Sequence, residues 1–249
     1  MRTLFWFGLC VGCMLFAPGI QAQKIQWDKS LGGKQSDYLM DAIATPDYGF
    51  ILAGSSLSVK SGSKTQSSHD MDYWLWKMNE KGEAEWQQNF GGSGSDFLYS
   101  IALTSDGGFI LAGTSNSPKS YDKLTPHQGL DDVWVLKLNA RGEIEWQKTI
   151  GGNGQDELNT IVKTYDGGFV IGGSSNSKKS GDKTTTTFGG MDYWIVKVNN
   201  EGKIVWQNTF GGIYNDELIS IAVTLDGGFI LGGYSNSPNS GNCCTTHSK

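Results

Sequence analysis

Trp27, Trp86, Trp146 and Trp206 stand 59, 60 and 60 residues apart. The Gly-Gly pairs beginning at Gly32, Gly91, Gly151 and Gly211 keep that interval, as do Asp37, Asp96, Asp156 and Asp216. A second series, Trp74, Trp134 and Trp194, is spaced by 60; each member has an aspartate two positions before it (Asp72, Asp132, Asp192) and a lysine three after it (Lys77, Lys137, Lys197). The decapeptide TSDGGFILAG at 104–113 returns as TYDGGFVIGG, TLDGGFILGG and, more worn, TPDYGFILAG. A period of this length means that each unit is one supersecondary piece, which buries its apolar face only by stacking on its neighbours.

Within the third unit the pattern predicts four strands. DELNTIVKT (156–164) is the first, and GGFVIGGSS (167–175), an unbroken apolar run relieved by glycine, is a second strand buried on both faces. DYWIVKVN (192–199) is the third. GKIVWQNTF (202–210) is a half-exposed outer fourth strand, with Ile204 and Trp206 expected on one face. Four antiparallel strands per unit at a fixed period are the signature of a β-propeller blade, and 35 glycines and 9 tryptophans suit an all-β chain of tight turns. The expected architecture is a β-propeller-like array with units at about 37–90, 96–150, 156–210 and an incomplete 216–249. A lone strand of the fourth type is expected at 24–31.

Short Asp-Gly-Gly and Asn-x-x-Gly turns join first to second and third to fourth strands, so they share one trimmed face of the array. The opposite face carries the long polar loops, where a ligand or partner would dock. The last unit stops inside such a loop, SNSPNSGNCCTTHSK, which reads as an open or truncated array.

The N-terminus has Arg2, an apolar run from Leu4 to Phe16 and a small-residue cleavage site ending at Ala22. That describes a secretory signal peptide over 1–22, leaving a repeat domain at 23–249 without a stable membrane span. A retained anchor is the alternative. Cys10 and Cys13 fall inside the leader, where lipidation at Cys13 lacks the usual upstream leucine, and the adjacent Cys243 and Cys244 are poorly placed to bridge each other. A formal charge of −5 with scattered lysines excludes the basic footprint of a nucleic-acid binder.

Asp106, Asp166 and Asp226 recur with Gly-Gly and read as turn residues; one carboxylate per turn is too few for calcium. Asp37, Asp96, Asp156 and Asp216 read as strand-entry caps, with a ring of carboxylates around a channel as the alternative. Both tryptophan series read as packing between blades. Trp76, outside the series and beside Trp74, is a candidate binding residue, together with Asp122, Lys123, Asp182 and Lys183 of the long loops. His69, His127 and His247 share no register, and no nucleophile motif or metal cluster accompanies them, so neither a catalytic centre nor a cofactor is expected.

The segment 175–237, with D-Y-W-x-x-K, W, G-G-x-x-x-D and T-x-D-G-G-F in order, resembles a tandem repeat of secreted and cell-surface proteins of the Bacteroidetes. That resemblance covers nearly all of 23–249 and implies a propeller-like fold and display outside the cell. It also implies a C-terminal sorting domain for type nine secretion, which this sequence lacks. The expected function is a non-catalytic interaction or carbohydrate-binding module whose partner is a protein or glycan at the cell surface. A purely structural surface protein and a propeller hydrolase or lyase are the alternatives.

Overall fold

The computed structural model describes Ile25, residues 27–238 and residues 241–242, and within these every regular element is a β-strand. The expected leader over 1–22, with its expected cleavage site at Ala22, and all four cysteines lie outside the described residues. The first sheet is β1 (Asp37–Ala44), β2 (Phe50–Ser56), β3 (Asp72–Met78) and β4 (Ala84–Phe90); the second is β5 (Asp96–Leu103), β6 (Phe109–Ser115), β7 (Asp132–Leu138) and β8 (Ile144–Ile150). The third is β9 (Asp156–Lys163), β10 (Phe169–Ser175), β11 (Asp192–Val198) and β12 (Ile204–Phe210). The hairpin β13 (Asp216–Val223) and β14 (Phe229–Ser235) begins a fourth. Each complete sheet is an antiparallel meander in chain order. The first strands β1, β5, β9 and β13 stand next to one another in sequence, so the sheets fan out as propeller-like blades that do not close into a ring.

Alternation along each strand sends side chains to the two neighbouring blades in turn. Phe109 and Leu111 of β6 share a core with Ile51, Ala53, Tyr73 and Leu75 of the first blade. Ile110 and Ala112, from the same strand, share the next core with Leu158, Ile161 and Ile171. Every residue of β6 and β10 is therefore buried. Each fully buried leucine or isoleucine contributes roughly 1.5–3 kcal/mol. Tyr73, fully buried, lies 4.9 Å from the Trp134 ring of the next blade and donates its hydroxyl to the Trp134 carbonyl at 3.0 Å.

The outer strand departs from simple alternation. Ile204 pairs with Val198 but Trp206 pairs with Lys197, so Val205 is a bulge residue and stands 57% exposed. The extra residue reverses the facing: Ile204 packs toward the second blade and Trp206 toward the fourth, not together on one face as expected. β4 and β8 carry the same irregularity.

Among the described residues no strand forms before β1: a fourth-type strand needs a third-type partner to bond to, and the described residues hold none ahead of Trp27. Trp27 nevertheless takes the seat of its series. A Cβ on Gly82 would stand 2.9 Å from the Trp27 ring, as one on Gly142 would from Trp86 (3.1 Å) and one on Gly202 from Trp146 (2.9 Å). Trp27 also meets Phe50 edge-on at 6.2 Å, as Trp86 meets Phe109.

Candidate functional site

On the trimmed face the repeated aspartates do close the turns. Asp106 accepts the Thr104 hydroxyl and the Gly108 amide, Asp166 those of Thr164 and Gly168, and Asp226 those of Thr224 and Gly228. They also hold buried lysines. Lys137, with its side chain 1% exposed, places Nζ 2.9 Å from Asp106 Oδ2 and 2.7 Å from Glu145 Oε2. Lys77 does the same with Asp47 and Glu85, both at 2.7 Å, and Lys197 with Asp166 at 2.6 Å. The Lys77 and Thr45 bonds hold Asp47 at a pKa of about 2. Against partial burial, the Thr104 and Lys137 bonds do the same for Asp106, and Lys197 keeps Asp166 below the usual carboxylate range. In the first two blades these clamps tie the first turn to the outer strand; in the third, where Val205 replaces the outer-strand glutamate, Lys197 holds the first turn alone, and all three lysines have little to offer a ligand.

The opposite face is built in two layers. In the lower layer Asp96, fully buried, accepts the Gly92 amide at 2.7 Å and the Ser117 hydroxyl at 2.8 Å; Asp156 repeats this with Gly152 and Ser177, and Asp216 with Gly212 and Ser237. Burial raises Asp96 against these donors. The carboxylates therefore cap their own loops. Asp132 Oδ2 takes the amides of Gln128 and Gly129, and its Oδ1 lies 1.9 Å from where a Gly151 Cβ would be, which is why that loop position is glycine. Burial raises Asp132 too, and lifts Asp192 to about 6.

Lys123 and Lys183 belong to this lower layer, which corrects the expectation that they face a ligand. They are 0% and 1% exposed. Lys123 donates to Thr149 Oγ1 at 2.7 Å and sits 5.6 Å over the Trp134 ring; Lys183 donates to Thr209 Oγ1 at 3.0 Å and sits 4.6 Å over Trp194. Lys64 repeats the arrangement over Trp74 at 4.7 Å, bonded to Asn89. Burial lowers all three lysines to about 8 against the pull of neighbouring aspartates. The tryptophan series is thus a set of packing and cation-π platforms, Trp134 and Trp194 buried and Trp86, Trp146 and Trp206 half-buried. Trp76 is only 6% exposed and turns toward the outward face of the first blade, away from the loop face.

The upper layer varies where the lower repeats. The turn Ser120–Lys123 is closed by Lys123 N–H to Ser120 O at 3.0 Å and carries Tyr121 and Asp122 at its tip. The corresponding turn of the third unit carries Gly181 and Asp182, that of the first Gly62 and Ser63. Tyr121 holds φ +48° where Gly62 and Gly181 hold +58° and +55°, a region that costs a side chain about 1–2 kcal/mol. Its ring, 60% exposed, stacks on His69 of the preceding loop at 3.5 Å and 16°. At the next junction Gln128 takes the place of His69 and donates to Asp182 at 2.5 Å; at the third, Phe188 stands 41% exposed. Asp122 is thus exposed and Asp182 half-buried, both at the tips of their turns. Tyr121 and His69 were not foreseen as a pair, although a tyrosine at a position that is glycine in the other units was visible in the repeat.

Among the described residues, no group of three or more His, Cys, Asp or Glu could hold a metal ion, and no helix is long and apolar enough to cross a membrane. No family model matches the chain. Over 163 residues, 62% of its length, it is 25% identical to the regulatory protein FlaEY of Caulobacter vibrioides. It spans 17% of that protein.

Proposed function

We propose that this chain is an exported, non-catalytic repeat protein that binds a glycan or protein through its long-loop face. One observation carries this reading: a framework that repeats residue for residue displays His69, Tyr121 and Asp122 at one junction and Gln128, Gly181 and Asp182 at the next. A scaffold held constant beneath variable loop tips is how repeat proteins present binding surfaces. Tyr121 sharpens the point, because a tyrosine kept exposed in a backbone region suited to glycine costs stability and packs no core.

The test is a glycan array, and a surface-protein capture screen, run with the purified protein and its Tyr121→Gly variant. Tyr121→Gly should lose binding while unfolding at the same or higher denaturant, by about 1 kcal/mol from relief of the left-handed strain. Binding that survives both Tyr121→Gly and replacement of the 176–191 loop by a Gly/Ser linker would refute the loop-face assignment. A protein that binds nothing in either screen would be a structural spacer.

A further inference from the structure

We infer that this chain associates head to tail with a second copy of itself, the outward face of the β13–β14 hairpin seating on the outward face of the first blade. Every internal junction is made by the same residue positions. The following blade supplies Leu98, Phe109, Leu111 and Trp134 at the first junction and Leu158, Phe169, Ile171 and Trp194 at the second. In the first blade those positions are Leu39, Phe50, Leu52 and Trp74, and among the described residues no blade covers them; Leu39 is 64% and Phe50 36% exposed. At the other end Ile230 and Gly232 occupy the positions from which Val170 and Gly172 meet the next blade. A Cβ on Gly172 would stand 2.3 Å from Ile221 Cδ1, whereas Ile230 is 62% exposed and Gly232 has nothing within 4 Å. The two ends are thus the two halves of a contact the chain already makes between its own blades.

The N-terminal segment shapes the seat. Trp27 occupies the place of a preceding blade's fourth strand, and beside it a groove remains, lined by Leu31, Leu39, Leu52, Trp74 and Trp76. That groove is the space of a blade's inner strands, and β13–β14 is a half-blade consisting of its two inner strands. The Trp76 indole N–H, buried and without an acceptor among the described residues, stands where the second and third blades have Leu136 and Val196, and would meet the occupant. One position differs. Tyr234 stands where Ser55 and Ser174 accept the amides of Leu98 and Leu218 from the next blade; held by Glu217, its phenol keeps a hydroxyl at that edge.

Such a contact joins different surfaces, so it builds rings or filaments rather than an isologous pair. Sedimentation velocity on the purified protein should show a mass above one chain that rises with concentration. Leu39→Asp and Ile230→Asp, both at exposed positions, should each remain folded by circular dichroism and sediment as monomers. Mixing the two should restore a dimer containing one of each, since each variant keeps the face the other has lost. A wild-type protein that stays monomeric throughout, a mixture that does not pair, or an Ile230→Asp variant that still self-associates would overturn the proposal.

Discussion

Removing Lys137 should cost less than removing its partners. The ammonium is 1% exposed, while Asp106 and Glu145 are 49% and 44% exposed and keep water when the lysine goes. Lys137→Met loses two charge-assisted bonds but also removes a desolvated charge and leaves an apolar chain of similar length, so a loss of about 0–2 kcal/mol is expected. Asp106→Ala with Glu145→Ala leaves that ammonium buried with the Leu138 carbonyl, at 3.2 Å, in place of two carboxylates. An uncompensated buried charge costs about 3–5 kcal/mol, and loss of the Thr104 and Gly108 bonds adds about 1. The decisive variant is the triple one, in which Lys137→Met on the double background should restore about 2 kcal/mol or more. Urea unfolding followed by tryptophan fluorescence reads all three, with the midpoint of the first transition compared in case the blades unfold in steps. A triple variant less stable than the double would show that the buried charge is not what the carboxylates compensate.

Two further outcomes follow from the same packing. Gly151→Ala puts a Cβ 1.9 Å from Oδ1 of Asp132, a carboxylate that two amides hold in place through Oδ2, and should cost about 3 kcal/mol, whereas Gly167→Ala, at φ +83° with nothing within 4 Å, should cost about 1–2 kcal/mol by urea midpoint. Lys64, Lys123 and Lys183 have folded pKa values of about 8 against 10.5 for the free side chain, so between these the unfolded chain binds more protons and stability should rise with pH. Above about pH 10 buried Tyr73, whose pKa burial raises, opposes the rise, because only the unfolded chain then ionises it. Urea midpoints measured from pH 7 to about 11 should therefore pass through a maximum, and a monotonic fall from pH 8 would contradict the burial of the three lysines.

The strands were legible because glycine turns and apolar runs recur in register, and a period confirms in three places what one segment only suggests. The outer-strand bulge was not legible: Lys203 to Gln207 alternate in sequence, and only pairing against Lys197 and Val198 shows that Val205 is the extra residue. The expected strand at 24–31 carried the right tryptophan, but its described residues form no strand, since strand formation depends on a neighbour's backbone groups, which local sequence does not contain.

The loop lysines teach the sharper lesson. A lysine among Ser, Thr and Asp looks solvated, and composition gives no hint that Lys123 and Lys183 are buried. Their recurrence does: in a loop whose neighbours drift from unit to unit, a residue that stays in register with the tryptophan beneath it is being held by the fold. Tyr121 is the reverse case, a departure at a position the backbone reserves for glycine, and no packing accounts for its exposed ring. In a repeat chain, residues that keep the period report on the scaffold, even when polar. Those that break it at a cost in backbone energy are where selection for something other than folding is to be sought, and by that criterion the junction of His69 and Tyr121 ranks above both lysines first expected to bind.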